Sequence, residues 1–310
     1  MSSLTDNILA ATDYGLSPID SNSFSSNDIC SIQHDYADHP LLQIQRLESL
    51  AGKLYETEQC RFVNPGMDLK SDFWHESKPT NGQDLSEFFE RISEPESWIA
   101  LYNVETDPEY KALVESIVQS RKDLIEPEQG SILEAQGFIF ISAPPSVTPF
   151  HIDRENNFWL QIRGTKEMTV FDHTDTEVVS ATAIEDFISN GTLKEVALTD
   201  SAADKGRRFI TKAGDGVYFP STSPHMTRTT TDWVTDTDNI SISIGVVFYT
   251  EKTRMTAQIY QCNRLLRKFG LKPTPPGSNS LLDSVKASIG HYWSLFNIKF
   301  RNYNPPPHSY

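Results

Sequence analysis

Between residues 137 and 250 the chain is cut into short apolar runs that are too brief for helices and are separated by turn residues. Residues 138–142, 158–163, 166–172, 216–220 and 240–250 are rich in Ile, Val, Phe and Thr, and Pro144-Pro145, Gly164-Thr165 and Gly214-Asp215-Gly216 punctuate them. Strand-length runs of β-branched and aromatic residues at such close spacing bury their side chains together as an antiparallel sandwich or barrel. The predicted fold class is therefore mainly β with flanking helices.

The flanks read differently. Residues 1–40 are rich in Ser, Asn and Asp and offer little periodic apolar surface, so a loosely ordered N-terminal arm is expected there. Over residues 41–55, Leu42, Ile44, Leu47, Leu50 and Leu54 recur mostly every three or four positions, the spacing of an amphipathic helix. Residues 84–92 and 108–119 predict further helices, the second opened by Asp107 as cap and Pro108 at the first helical position. Residues 41–136 thus read as a helical and mixed part leading into a β core at 137–250. In residues 251–310, Met255, Ile259, Cys262, Leu266 and Phe269 form one stripe, and Leu282, Val285, Ile289, Tyr292 and Phe296 form another. Two amphipathic helices follow, which either cover an end of the core or meet another subunit. Trp293, Leu295 and Ile298 fall outside the second stripe, and that surplus apolar surface predicts a homodimer through residues 253–300. Asn304-Pro305-Pro306-Pro307 cannot continue a helix.

Charge narrows the partners. Lys plus Arg is 27 against 42 Asp plus Glu, a net charge of -15, which repels phosphate backbones and anionic lipid heads. Nucleic acid and membrane surfaces are not expected partners. Residues 1–16 lack the basic flank and apolar stretch of a secretory signal, so a cytoplasmic location is expected. Cys30, Cys60 and Cys262 are too far apart for a disulfide framework or a thiolate zinc site.

The chemistry concentrates in His151-Ile152-Asp153 and in Ser223-Pro224-His225. On a strand, His151 and Asp153 would point to the same face. His225 from another strand would complete a face of two His and one carboxylate, which binds Fe(II) and leaves three positions open. An H-x-D spacing alone arises by chance, so its neighbours matter. Lys166 shares a strand face with Met168 and Val170. A buried ammonium needs an anion or sheds its proton, which points to a carboxylate ligand inside the barrel; the alternative is a lysine snorkelling at its mouth. In the closing run, Ile240, Ile242, Ile244, Val246 and Phe248 take one face, and Ser241, Ser243, Gly245, Val247 and Tyr249 the other. The second face either lines a ligand cavity or meets solvent.

Thr148-Pro149-Phe150-His151-Ile152-Asp153, Asn157-Phe158-Trp159-Leu160-Gln161-Ile162-Arg163-Gly164-Thr165-Lys166 and Gly214-Asp215-Gly216-Val217-Tyr218-Phe219-Pro220 with His225 together resemble the JmjC, or cupin-like, branch of 2-oxoglutarate and Fe(II)-dependent oxygenases. Within that branch the similarity is greatest to the asparaginyl hydroxylase that inhibits hypoxia-inducible factor, and it spans residues 137–249. The resemblance implies a double-stranded β-helix, or jelly roll, with iron held by His151, Asp153 and His225. It also implies that Thr148 and Lys166 bind the distal carboxylate of 2-oxoglutarate and that Asn157 lies beside it. Where the relative has an asparagine and a tryptophan on the last strand, this chain has Gly245 and Val247, so the substrate side differs. Tyr102 is the nearest candidate for the relative's cosubstrate tyrosine, the alternative being a core or rim aromatic. The relative dimerises through C-terminal helices, in line with the surplus apolar surface here.

The implied activity is hydroxylation, or oxidative demethylation, of an amino-acid, peptide, protein or small-molecule substrate, using 2-oxoglutarate and O2 and releasing succinate and CO2. The alternative is a non-catalytic metal-binding cupin with a binding or regulatory role. A zinc hydrolase or isomerase would leave Lys166 unexplained. Arg207-Arg208 reads as a solvated pair at a loop end, the alternative being a contact for an acidic substrate, and residues 229–238, with Trp233, as a loop overhanging the pocket.

Overall fold

The computed structural model describes residues 14–16, 24–63, 66–72, 76–79, 82–235 and 238–300. In chain order the elements are β1 (Cys30–Gln33), α1 (Ile44–Tyr55), β2 (Cys60–Phe62), α2 (Leu85–Glu90), β3 (Trp98–Leu101), α3 (Pro108–Gln119), α4 (Lys122–Gln129), β4 (Ile132–Ser142), β5 (Ser146–His151), β6 (Asn156–Arg163), β7 (Thr165–Val170), α5 (Ala181–Asn190), β8 (Arg207–Lys212), β9 (Asp215–Phe219), β10 (His225–Thr229), β11 (Ser241–Thr250), α6 (Glu251–Lys268) and α7 (Ser280–Phe300).

The strands form two antiparallel sheets, one ordered β1-β9-β6-β11-β4-β3-β2 and the other β5-β10-β7-β8. From β4 to β7, and again from β8 to β11, successive strands alternate between the sheets. That alternation is the jelly-roll arrangement. The expected helices stand where their caps put them. Asp107 accepts from the Glu109 amide at the head of α3, with Pro108 in the first turn, and Asp84 and Glu87 close a capping box on α2.

The main core lies behind the larger sheet. Ile242, Ile244, Val246 and Phe248 of β11 pack with Leu47, Leu50 and Leu54 of α1 and with Leu113, Val114 and Ile117 of α3. Gly137 lets β4 approach this layer, because a Cβ there would stand 2.6 Å from Val104 Cγ2 and 2.7 Å from Val114 Cγ2.

The N-terminal arm corrects the sequence reading. From Phe24 onward it is built into the fold: Phe24, Ile32 and Tyr36 are buried and β1 pairs with β9, Cys30 lying opposite Tyr218. A four-residue edge strand has too few side chains to show a period, and its backbone pairing holds it. Residues 1–13 and 17–23 lie outside the described residues, as does the proline run at 304–307.

The C-terminal helices also differ from the expected pattern. Ile259 and Cys262 of α6 are buried as their stripe implies, but Met255 and Phe269 are exposed. Helix α7 faces α6 with Asp283, Lys286, Ala287, Gly290 and Ser294, while Leu282, Val285, Ile289, Tyr292 and Phe296 point outward. Closeness decides this orientation, since a Cβ on Gly290 would sit 1.9 Å from the Gln258 carbonyl oxygen. Lys286 Nζ donates to the Thr274 carbonyl at 2.7 Å, and Asp283 accepts from the Gly277 amide at 2.8 Å. The three cysteines are free thiols. Among the described residues no helix is long and apolar enough to cross a membrane.

Candidate metal centre

Strand β10 lies between β5 and β7, and its first residue, His225, stands opposite His151 and Val170. The register slips between His225 and Thr227, and the two imidazole rings come to 4.1 Å, centroid to centroid. Asp153 is not on the strand, as the same-face argument supposes, but just past its end. A turn brings it back: Thr222, at φ +62°, donates its amide to the Asp153 carbonyl at 2.9 Å. One ligand atom from each of His151, Asp153 and His225 then lies within 4.8 Å of the others, and no other such group occurs among the described residues.

The backbone sets which nitrogen each ring offers. His151 Nδ1 lies 2.7 Å from the Pro149 carbonyl, and His225 Nδ1 lies 3.0 Å from the Ser223 carbonyl, so each donates there and leaves Nε2 with its lone pair. His225 Nε2 is 3.5 Å from Asp153 Oδ2. Burial, with His151 beside it, lowers His225 to about 4, and the ring is neutral at neutral pH. Two imidazoles and a carboxylate on one face form a donor set suited to a divalent first-row metal. These three residues would hold it.

Lys166 is 3% exposed on β7, on the buried face shared with Met168 and Val170. At that burial it does not snorkel. Desolvation lowers its ammonium to about 7. Thr148, on β5 and opposite Thr227 of β10, is buried, as is Asn157 on β6, opposite Phe219 and Val247. Asn157 Oδ1 has no hydrogen-bond partner, and a Cβ on Gly245 would lie 3.5 Å from it. Asn157 and Gly245 therefore face each other inside the barrel. The small-residue face of β11 lines the interior, and its apolar face joins the core behind the sheet.

Sequence reading missed a polar pair beside the metal face. The Tyr249 hydroxyl donates to Glu155 Oε1 at 2.5 Å, and burial together with the Asp153 charge pushes the Glu155 carboxyl upward. The place of Tyr249 on the small-residue face was a usable signal; nothing in Asp153-Arg154-Glu155 marks which side chains turn inward. Arg154 turns away, its guanidinium 4.3 Å from the centre of the Phe187 ring. Tyr102 packs edge-on to Phe138 at 4.9 Å, and burial, then the Asp153 charge, raises its hydroxyl. Arg208 pairs with Glu167 at 3.2 Å, as a solvated arginine would. A Cβ on Gly164 would meet the Trp233 ring at 2.6 Å, which places that ring at the end of β6 away from Asp153.

Residues 30–254 match the cupin-like domain family, nearly three quarters of the chain. The chain belongs to the cupin-like family. No curated protein sequence matches it. Among solved structures, an X-ray structure of YcfD from Escherichia coli is 15% identical with a TM-score of 0.50, covering 93% of this cupin-like chain and 70% of that one. A structure described as the Escherichia coli ribosomal oxygenase YcfD in complex with cobalt and 2-oxoglutarate is 16% identical with a TM-score of 0.48, covering 93% and 69%. At such identity the likeness speaks for the fold, whose two alternating sheets are those of a cupin-like barrel.

Proposed function

We propose that this chain is an Fe(II)- and 2-oxoglutarate-dependent oxygenase. The observation that carries the reading is a face of two histidines and one carboxylate with the buried Lys166 on β7, the strand next to the one that carries His225. A metal-binding cupin without turnover has no chemical need for that lysine, whereas a dicarboxylate cosubstrate supplies the anion it lacks. His151, Asp153 and His225 would hold the iron. When bound, the metal supplies the redox chemistry that couples conversion of 2-oxoglutarate and O2 to succinate and CO2 with hydroxylation of a substrate. Hydroxylation on an N-methyl group would give demethylation.

The protein's own residues bind and orient. Lys166 and Thr148 take the distal carboxylate in a site already stripped of water, where a charge-assisted bond is strong. Asn157, its carbonyl oxygen unpartnered, lies beside the cosubstrate. Gly245 and Val247 leave room on the substrate side, with Tyr102, Glu155 and Tyr249 near it. The prime substrate is an amino acid, a peptide or protein side chain, or a small molecule.

Succinate formation from 2-oxoglutarate with Fe(II), screened against amino acids, peptides and fractionated extract, tests the reading. Stimulation by any one of them supports it. Binding of both iron and 2-oxoglutarate with no succinate from any fraction would instead favour a binding or regulatory protein.

We also propose that two copies pair through α6 and α7. The support is the outward stripe of α7, where Leu282, Val285, Ile289, Tyr292 and Phe296 are all more than 40% exposed. A single helix face meeting its own copy closes into a symmetric pair.

A further inference from the structure

A cavity of about 630 Å³ lies between the lead into β1, the loop at 220–222, α5, α6 and the turn at 275–277. None of the metal ligands lines it, and neither do Thr148, Asn157 or Lys166. Its size is that of a small-molecule pocket. Two of its lining residues, Asn156 and Asn263, are each 1% exposed, and each leaves one amide atom without a hydrogen-bond partner: the Nδ2 donor of Asn156 and the Oδ1 acceptor of Asn263. Their other amide atoms are used, Asn156 Oδ1 by the Ser221 amide at 3.0 Å and Asn263 Nδ2 by the Thr274 carbonyl at 3.1 Å. Both unpaired atoms are themselves shielded from the cavity, and the bonded halves of the two amides fix its wall at Ser221 and Thr274.

The charges on the walls say what kind of ligand. In a chain of net charge -15, Lys205, Arg207, Lys252 and Arg267 line the cavity against Asp28 and Asp172. Lys205 is matched by Asp175 at 2.9 Å and Arg267 by Glu185 at 2.9 Å. Arg207 and Lys252 make no ion pair among the described residues: Arg207 donates to the Ile29 carbonyl at 2.7 Å and lies 5.3 Å from the centre of the Phe209 ring, and Lys252 donates to Asn27 Oδ1. Asp172 is occupied by the Thr174 amide and hydroxyl, each at 2.7 Å. Arg207 and Lys252 are thus two exposed cations at the cavity without a carboxylate at ion-pair distance, and Ile184, Tyr260, Pro275 and Pro276 give the same cavity apolar walls.

We propose that this cavity is a second ligand site, for a small organic anion with an apolar body, its carboxylate or phosphate held by Arg207 and Lys252 and its body against Ile184, Tyr260 and Pro275. Calorimetric titration of the full chain with 4-hydroxybenzoate, with phenyl phosphate and with uncharged 4-hydroxybenzamide tests it. Saturable binding of the carboxylate or the phosphate, with none of the amide, is expected, and the arm that binds tighter names the anion. Lys252→Glu and Arg207→Glu should each weaken that binding about tenfold or more. Lys166→Met should leave it unchanged. No saturable binding of either anion overturns the proposal. Binding unaffected by both charge reversals, or lost in Lys166→Met, overturns it as well, the latter by assigning the anion to the barrel interior.

Discussion

His225 presents one edge of its ring to each of two partners: Nδ1 stands 3.0 Å from the Ser223 carbonyl and Nε2 stands 3.5 Å from Asp153 Oδ2. The backbone thereby fixes the tautomer, and the carboxylate shares the free edge. Removing this ring should break the donor set. His225→Ala is expected to fold, by its circular dichroism, yet to retain no stoichiometric iron and form no succinate. Unchanged metal content in that variant would reject the assignment.

Lys166→Met removes a charge from a buried position on β7 that touches none of the metal ligands in sequence. The variant should keep its iron and raise the 2-oxoglutarate requirement about 30-fold or more, the cost of truncating one partner of a buried charge pair. An unchanged requirement, measured by titrating 2-oxoglutarate against succinate formed, would return Lys166 to a structural role.

The same lysine makes cosubstrate binding depend on pH. Burial lowers its ammonium from 10.5 to about 7, so at pH 8 it is mostly neutral. A carboxylate beside it favours the charged form, and binding should then take up close to one proton. Calorimetry at pH 8 in two buffers of different ionisation enthalpy reads that uptake, and equal heats in both would contradict it. Without cosubstrate, the unfolded lysine holds its proton up to its ordinary value while the native one does not. That contribution to stability should therefore rise with pH between about 7 and 10.5.

Much of this site was legible because its chemistry sits in contiguous stretches. Ligand spacing, the lysine offset and the Gly-Asp turn are local in the sequence, and period-two alternation in β11 separated the two faces before the fold said which was inside. Glu155 and Tyr249 are 94 residues apart, and only the pairing of β6 with β11 brings them together. Strand β1 was lost for the opposite reason: four residues at a sheet edge carry almost no side-chain pattern. For α7 the stripe was read correctly and its direction was not, because hydrophobic periodicity finds a face without saying what it meets. There the small residues Ala287 and Gly290 bring the helices together and the large ones are left outside.

The outward stripe of α7 makes assembly measurable. Sedimentation at micromolar concentration should give twice the 35.0 kDa of one chain. Val285→Glu combined with Ile289→Glu should return it to the single-chain mass without unfolding it, since both side chains are exposed. A single-chain mass for the unaltered protein would sink the pairing.

Gly137 should be a position of stability and not of chemistry. Gly137→Ala drives a methyl into Val104 and Val114, and overpacking of that kind costs about 1–3 kcal/mol. Thermal unfolding should show the loss while iron binding at saturating metal stays stoichiometric. Loss of iron with no change in melting would contradict the separation of core and site.

That separation has a bearing on how such a chain changes over generations. Both histidines of the candidate metal face belong to the smaller sheet, with the aspartate in the turn just beyond it, whereas the largest apolar cluster lies behind the larger one. Substitutions that silence the chemistry can accumulate without threatening the barrel, and substitutions that re-aim it toward a new substrate need not be matched by repairs to the core. Inheritance of the shape is thus a poor guide to inheritance of the reaction, and among descendants of this architecture the ligand and lysine positions have to be read one by one.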